Sequence, residues 1–250
     1  MQSPEAYFDE IAPYYEAVNP IEHDVGFWVE EAQRANGPVL EVGCGTGRVY
    51  LELLDAGVDA HGIDISRGML DELESAAADR GLDPTVERAD MRTFDLDRSF
   101  DLVVVPLRTF MNAVTVDDQK RTLRRIREHL TDDGRLILDF PQLSPEPIAE
   151  SYGVEREIPV EIDGEQYTQV TTTEFVDRVE EITRAERRVY DADGDLVAEG
   201  AQRSKLLHAR EVELLLDATG YSGWTMYGGY DRSEPDPEAE RQEIAVVAEA

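Results

Sequence analysis

The stretch from Val39 to Tyr50, VLEVGCGTGRVY, decides the fold of this chain. Its short apolar run predicts a buried strand, and three glycines spaced G-x-G-x-G then predict a tight turn into a helix. Glycines let a ligand approach bare backbone, and the first turn of a helix offers unpaired N–H groups. Dinucleotide sites use G-x-G-x-x-G, whereas here Arg48 stands in place of the third glycine and Glu41 lies within the strand. A carboxylate there disfavours a pyrophosphate and suits a ligand with a cationic amine and no phosphate.

Strands and helices alternate on the C-terminal side of this turn. The predicted strands lie at 39–42, 60–65, 85–88, 100–105 and 135–140. The predicted helices lie at 47–56, after Ser66, and at about 117–131, preceded by helical patterns at 4–18 and 24–36. Such alternation predicts a parallel sheet covered on both faces, with ligands at the carboxyl ends of the strands.

After Phe140 the pattern changes. From 154 to 207 apolar residues alternate in twos, and Asp163-Gly164 and Asp193-Gly194 are typical of hairpin turns, so we expect four antiparallel strands. A helix at 211–219 and an antiparallel strand pair near 224–227 and 243–248 follow. The predicted fold is therefore α/β: a Rossmann-like, doubly wound, mostly parallel seven-stranded sheet with an antiparallel last strand, plus a small antiparallel β-insertion. The predicted division is an N-terminal helical lid segment (1–36), a core (37–141 and 208–250) and an insertion acting as a substrate lid (142–207).

The composition narrows the function classes. The chain of 250 residues has 55 acidic and 24 basic residues, a net charge of −31. Such a charge destabilises a compact protein at low salt, which favours a protein of a very salty cytoplasm; an ordinary acidic protein from a GC-rich genome is the alternative. General nucleic-acid binding is disfavoured, because it needs a basic surface. The lone Cys44 excludes a disulfide framework and a cysteine-built metal site, and we expect no metal.

The chain has neither an apolar run long enough to span a membrane nor a secretory signal, so we expect a cytoplasmic protein, either monomer or homodimer.

Two more acidic residues extend the glycine-loop pattern. Asp64 ends the second predicted strand, 21 residues after Gly43, where a carboxylate binds ribose hydroxyls. Asp90 ends the third, where it is placed to accept from an adenine amino group while the backbone N–H of Met91 faces the ring. Together with Glu41, these residues predict a nucleoside site.

At this point the chain resembles a known family. LEVGCGTGR, GIDIS, ADM and FDLVVVP resemble successive motifs of the class I S-adenosylmethionine-dependent methyltransferases. EIAPYYEAV is similar to the family's common N-terminal segment, and ELLLDATGYSGWTMYGGYD to its usual ending. The resemblance covers nearly the whole chain, is most specific from 39 to 140 and is weaker in the insertion. S-adenosylmethionine has a cationic amine, a carboxylate, a ribose and an adenine but no phosphate, as the stretch 39–50 requires.

The resemblance implies a role for each motif residue. The glycine loop would meet the methionyl part with Glu41 nearby, and Arg48 would pair with its carboxylate. Asp64 would bind the ribose, Met69 would pack on the adenine, and Pro106 would lie beside the transferable methyl group. Tyr14 or Tyr15 would close over the cofactor. The predicted cofactor-binding residues are Tyr15, Glu41, Gly43, Cys44, Gly45, Gly47, Arg48, Asp64, Ile65, Met69, Asp90, Met91 and Pro106.

The implied activity is methyl transfer to a nitrogen or oxygen atom of a small molecule by in-line displacement. Positioning supplies most of the acceleration, and a general base is needed only if the acceptor must lose a proton. VVPLRTF lacks the "NPPY"-type signature of enzymes that methylate exocyclic or amide nitrogen, and no cysteine follows this strand for a C5-pyrimidine mechanism. No catalytic residue is assigned; the candidates for facing the substrate are Arg108, Asn112, Tyr152 and His208.

Three other functions remain open. A nicotinamide-dependent oxidoreductase would share the strand–glycine–helix unit and Asp64, but Arg48 and Glu41 oppose it. A non-catalytic S-adenosylmethionine-binding protein would keep every motif. An RNA methyltransferase would need a basic patch or an added RNA-binding module, and the sequence has neither.

Overall fold

The computed structural model describes residues 3–162 and 164–250. The helices are α1 (Pro4–Ile11), α2 (Tyr15–Val18), α3 (Val25–Arg34), α4 (Tyr50–Asp55), α5 (Arg67–Arg80), α6 (Val116–Glu128), α7 (Pro145–Ser151) and α8 (Ala209–Thr219), with 3-10 turns at Ala12–Tyr14 and Thr109–Asn112. The strands are β1 (Val39–Val42), β2 (Ala60–Asp64), β3 (Val86–Arg88), β4 (Phe100–Val105), β5 (Leu130–Leu143), β6 (Arg156–Ile162), β7 (Glu165–Asp177), β8 (Ile182–Tyr190), β9 (Leu196–Lys205), β10 (Gly223–Tyr227) and β11 (Arg241–Glu249).

The main sheet has seven strands in the order β10-β11-β5-β4-β1-β2-β3. Strands β1 to β5 pair in parallel, and β11 is antiparallel to both β5 and β10. Strands β2 and β3 are added on one side of β1 and strands β4 and β5 on the other. In sheets of this kind, ligands bind at the carboxyl ends of the strands next to the point where the order reverses. The predicted fold class is confirmed.

The core lies on both faces of the sheet because most residues of the central strands are apolar. All four residues of β1 are buried. Leu40 and Val42 pack with residues of α6 and α8, whereas Val39 packs with residues of α3 and α4 on the other face. Burial on both faces holds β1 rigidly, and with it the loop that begins at Gly43.

The insertion forms a separate four-stranded antiparallel sheet in the order β6-β7-β8-β9. Its inner face contacts the N-terminal helices through a cluster that includes Tyr7, Ile11, Val189 and Ala198. Arg187 on β8 donates to the hydroxyl oxygen of Tyr7. The N-terminal segment is therefore packed against the insertion.

The N-terminal segment also contacts the main domain. Asp9 on α1 accepts hydrogen bonds from the hydroxyl of Ser66 (2.6 Å) and from the backbone N–H of Gly68 (3.0 Å) at the start of α5. These bonds hold α1 against the helix that follows β2.

Four boundaries differ from the prediction. The helix expected at 47–56 begins only at Tyr50, and the helical pattern at 4–18 is interrupted by the 3-10 turn that contains Pro13. Strand β5 begins before the expected residue 135, and α7 lies within the predicted insertion, with Pro145 at its start. Of the two predicted hairpin dipeptides, the one at 163–164 includes Asp163, which lies outside the described residues. No helix in the described ranges is long and apolar enough to cross a membrane.

Candidate functional site

A cavity of about 620 Å³ lies between the carboxyl ends of β1, β2 and β4 and the inner face of the insertion sheet. A volume of this size accommodates a small-molecule ligand. The residues predicted from the sequence that line it are Tyr15, Gly43, Gly45, Asp64, Ile65, Met69, Asp90, Met91, Arg108, Asn112 and Tyr152. The structure thus brings the ends of three successive strands and part of the insertion to one site.

The glycine loop needs its glycines for two different reasons. Gly43 and Gly45 have φ values of 75° and 55°, which other residues rarely adopt. A Cβ at Gly43 would lie 2.4 Å from Cγ2 of Thr109, so the loops after β1 and β4 can touch only at a glycine. A Cβ at Gly45 would have no neighbour within 4 Å, so its backbone faces open space. A ligand can therefore contact the backbone at Gly45.

Asp64 braces the glycine loop. Its Oδ2 accepts from the N–H of Gly45 (3.0 Å) and its Oδ1 from the N–H of Ser66 (2.9 Å). Burial raises the pKa of this carboxyl, while the backbone donors lower it. Each oxygen retains a lone pair for one more donor, so the carboxylate can accept from two neighbouring hydroxyls.

Asp90 lies in the turn after β3, where its carboxylate accepts from the guanidinium and the backbone N–H of Arg92. Burial opposes its ionisation, yet the hydrogen bonds from Arg92 hold the pKa of Asp90 below its ordinary value. Asp90 is therefore an ionised acceptor in the cavity wall, next to Met91.

Glu41 lies in the middle of β1 and is buried, with an exposed fraction of only 3%. Its Oε2 has no hydrogen-bond partner among the described residues. Burial raises the pKa of Glu41 well above its ordinary value, and the positive charge of Arg48 opposes this shift. A buried carboxyl oxygen without a hydrogen-bond donor is unfavourable. A cationic group would supply both a donor and a compensating positive charge.

Several predicted residues do not line the cavity. Arg48 donates to Oδ1 (2.5 Å) and Oδ2 (3.0 Å) of Asp24 and to the carbonyl of Ile21 (3.1 Å). Its guanidinium is therefore held by Asp24, whose side chain is fully buried, and not by a free ligand carboxylate as expected. Glu41, which lies behind the loop, is likewise not in the cavity wall.

Three other predicted cofactor-binding residues lie outside the cavity wall because of their local packing. The thiol of Cys44 lies against Gly62, and Gly47 packs against Leu51 and Leu73, so both positions serve the packing of the turn. Pro106 is buried at the end of β4 and its carbonyl accepts from the Thr109 hydroxyl.

His208, a predicted candidate for facing the substrate, points elsewhere. It precedes α8, and its ring nitrogens contact the side chains of Gln142 (3.3 Å) and Glu181 (3.2 Å). The imidazole is therefore part of a polar junction between the core and the insertion, outside the cavity wall.

The loop after β4 has an unusual backbone. Leu107 and Arg108 both have positive φ, 53° and 64°, which is uncommon for residues with side chains. The N–H of Arg108 donates to Oδ1 of Asp139 (2.6 Å), and the Tyr230 hydroxyl donates to its Oδ2 (2.5 Å). The Arg108 guanidinium pairs with Glu243. Strained backbone held by buried partners is typical of functional sites.

The sequence predicts that the insertion covers the substrate, but not which residues of its strands face the cavity. The wall that it contributes consists of small hydroxyl and amide side chains on β7, β8 and β9: Thr171, Thr173, Thr183, Gln202 and Ser204. Gln202 donates to the side-chain oxygen of Asn112, which joins this wall to the loop after β4. The only signal in the sequence was the spacing of two between threonines on a predicted strand, which places them on one face.

The comparisons with known proteins agree with this geometry. Residues 39–134 match a family model described as a methyltransferase domain. A cypemycin N-terminal methyltransferase from Streptomyces sp is 34% identical over 113 residues, which is 45% of this chain and 45% of that protein. A dTDP-3-amino-3,6-dideoxy-alpha-D-glucopyranose N,N-dimethyltransferase from Streptomyces fradiae is 28% identical over 76% of this chain and 72% of that protein. The first of these matches spans less than half of each chain.

The fold extends over the whole length of a solved structure. The CcbJ methyltransferase from Streptomyces caelestis superimposes with a TM-score of 0.82 at 23% identity, covering 100% of both chains. The insertion and the N-terminal helices are therefore included in the shared fold.

Proposed function

We propose that this chain transfers a methyl group from S-adenosylmethionine to a nitrogen atom of a small molecule, on the premise that residues 39–134 form a methyltransferase domain of the class I S-adenosylmethionine-dependent type. The observation that carries the proposal is the cavity itself. One end is formed by the glycine loop, Asp64 and Asp90, and the other by the hydroxyl wall of the insertion. A cofactor and an acceptor can thus bind side by side.

The described residues fit the proposed cofactor. Asp64 has one free lone pair on each oxygen for the ribose hydroxyls, and Gly45 leaves room for the ligand beside the loop. Asp90 and Met91 lie where the adenine would bind. Glu41 lies behind the loop and outside the cavity wall, so we assign it no direct contact with the cationic amine. Nothing in this set suits a pyrophosphate, which disfavours the nicotinamide-dependent alternative.

The wall favours nitrogen over oxygen as the acceptor atom. None of the four histidines lines the described part of the cavity, and burial raises the pKa of Tyr15 to about 12 and that of Tyr152 above its ordinary value, so neither an imidazole nor these phenols supply a base at neutral pH. A neutral amine attacks without a base, whereas a hydroxyl usually needs one. By their names, the two relatives above act on amino groups.

S-adenosylmethionine, when bound, supplies an activated methyl group on a sulfonium. The described residues then have to align the acceptor with that methyl group and keep water out. We propose that the loop at Leu107 and Arg108, fixed by Asp139, sets the position of the acceptor amine. Gln202 and Asn112, which join the insertion to this loop, would hold the acceptor from the other side. An amine bound in its neutral form attacks the methyl carbon as the methyl–sulfur bond breaks, and the ammonium that forms releases its proton afterwards.

The cellular setting belongs to the same proposal. The net charge of −31 supports a protein that works in a salt-rich cytoplasm, where screening weakens the repulsion between its carboxylates. The N-terminal segment 1–36 and the insertion 142–207 would act as lids over the acceptor. The expectation of a monomer or homodimer, and of a protein that does not bind nucleic acid, stays a prediction.

Calorimetric titration in ~2–3 M KCl, chosen because such salt screens the acidic surface, tests the cofactor. We expect binding of S-adenosylmethionine and S-adenosylhomocysteine but not of NAD. Incubation with S-adenosylmethionine and a set of amines, paired with the matching alcohols, then tests the reaction by mass spectrometry. Methylation of amines only is the expected result. Binding of NAD in place of the sulfur nucleosides would overturn the proposal, and methylated alcohols would refute the choice of nitrogen.

A further inference from the structure

Two arginines at the acceptor end of the cavity have no acidic partner among the residues that the structure describes. Arg156 begins β6 of the insertion and Arg241 begins β11 of the main sheet, and both line the cavity. Neither forms an ion pair within 4.0 Å with any described carboxylate. Acidic residues outnumber basic ones 55 to 24 in this chain, so the lack of an ion pair at both arginines is not due to a shortage of carboxylates.

Tyr152 shows that this positive charge reaches into the cavity. Its phenol lines the wall between α7 and the insertion, and its ring stacks on Phe175 (5.0 Å between centroids). Burial raises the pKa of Tyr152, and the charges of Arg108 and Arg241 oppose that shift. The phenol hydroxyl therefore shares the cavity wall with both guanidinium groups and adds a neutral hydrogen-bond donor to that wall.

The charges around this point do not cancel. Arg108 is neutralised by its ion pair with Glu243. Glu150 on α7 also lines the cavity, but it lies more than 4.0 Å from both Arg156 and Arg241 in the described structure. Two cations and one separate anion thus line the acceptor end, in a protein whose overall charge of −31 repels anions.

We propose that the methyl acceptor carries an oxyanion, a phosphate or a carboxylate, which Arg156 and Arg241 bind at the mouth of the cavity. Guanidinium groups match both anions in geometry and bind them with charge-assisted hydrogen bonds. The hydroxyl wall formed by Thr171, Thr173 and Ser204 would contact the neutral, hydrogen-bonding part of the same molecule. This inference rests on the proposed function, since it describes the acceptor of that reaction.

The test uses protein saturated with S-adenosylhomocysteine, so that the cofactor's own carboxylate site is filled. Inorganic pyrophosphate and malonate are titrated by calorimetry as probes for a phosphate and a carboxylate. The variants are Arg156→Gln and Arg241→Gln, and the matched control is Arg124→Gln. Arg124 is exposed on α6 outside the cavity wall, and its substitution changes the net charge by the same amount.

We expect at least one probe to bind, and each cavity variant to weaken it about tenfold or more while the control leaves it unchanged, as a lost charged hydrogen bond implies. Preference for pyrophosphate assigns a phosphate, and preference for malonate a carboxylate.

Binding that the cavity variants do not alter, or no binding of either probe, would overturn the inference. Binding of S-adenosylhomocysteine is measured first and separately. If it fails, the proposed function is refuted; if it succeeds while both anions fail, only the anionic acceptor is refuted.

Discussion

Replacing Asp64 by asparagine separates the two roles that the structure gives this side chain. The carboxylate accepts from the N–H groups of Gly45 and Ser66 and has one further lone pair on each oxygen. Asparagine keeps one acceptor oxygen, but its amide N–H₂ must then face either the Gly45 or the Ser66 donor. Two donors face each other in either orientation, so the side chain loses its bond to either Gly45 or Ser66, and the proposed ribose contact loses one acceptor.

The magnitude follows from these contacts. A hydrogen bond to a charged group contributes about 1.5–3 kcal/mol, and an unsatisfied partly buried donor costs about 1–3 kcal/mol. Because the loop can shift to relieve part of the second cost, we expect the Asp64→Asn variant to lose about 2–4 kcal/mol of binding free energy. That loss corresponds to ~30–700-fold in the dissociation constant. The control is Asp95→Asn, because the Asp95 side chain is 87% exposed outside the cavity.

The assay is calorimetric titration of each protein with S-adenosylmethionine, S-adenosylhomocysteine, adenosine and 2′-deoxyadenosine. The first three share the complete ribose, so their losses should agree within about threefold, while 2′-deoxyadenosine should lose less because one hydroxyl is already absent. A loss confined to S-adenosylmethionine would mean that Asp64 acts on the sulfonium charge and would refute the ribose assignment. An equal loss for 2′-deoxyadenosine would show that only the loop is affected.

Three stability predictions follow from other contacts, each measured by urea denaturation. Gly43→Ala should destabilise the fold far more than Gly57→Ala, because both have positive φ but only the Cβ at Gly43 meets another side chain; the second change costs about 1 kcal/mol. Asp24→Asn should cost about 3–5 kcal/mol, because it leaves the largely buried guanidinium of Arg48 without its counter-charge, and a wild-type-like midpoint would contradict this. Burial raises the pKa of Asp139 to about 6, above that of the unfolded chain, so its contribution to stability is present in acid and is lost as the pH rises through about 6. Asp139→Asn should remove that part of the pH dependence between about pH 4 and 7.

Much of the proposed cofactor end of the cavity could be predicted from the sequence, because its residues also build the turn after β1. Gly43 and Gly45 are glycines for backbone reasons, and Asp64 holds the same loop that the ligand approaches. The local pattern therefore carries both the fold and the site. Apolar residues that repeat every two or every 3.6 positions predicted the succession of strands and helices along the chain, because each period indicates which face of an element is buried.

Long-range pairing could not be predicted. Arg48 was expected to meet a ligand carboxylate, yet it pairs with Asp24, which lies 24 residues earlier. In a chain with 55 acidic residues, sequence alone does not say which carboxylate approaches an arginine. His208 was expected to face the substrate but contacts Glu181 for a similar reason. Glu181 lies in the turn between β7 and β8, 27 residues earlier in the chain. Pairs that depend on tertiary structure have no local pattern.

The residues at the acceptor end of the cavity were the hardest part of the site to predict from the sequence. The wall of this end combines Arg241 from β11, Arg156 from β6 and Asn112 from the loop after β4, which are far apart in the sequence and share no motif. None of them braces the cofactor loop, so each can change without disturbing the turn at Gly43. A chain built in this way can keep one cofactor while its acceptor varies. The choice of acceptor then depends on the charges and hydroxyls of the insertion and the neighbouring strand ends, which is where variants should alter it.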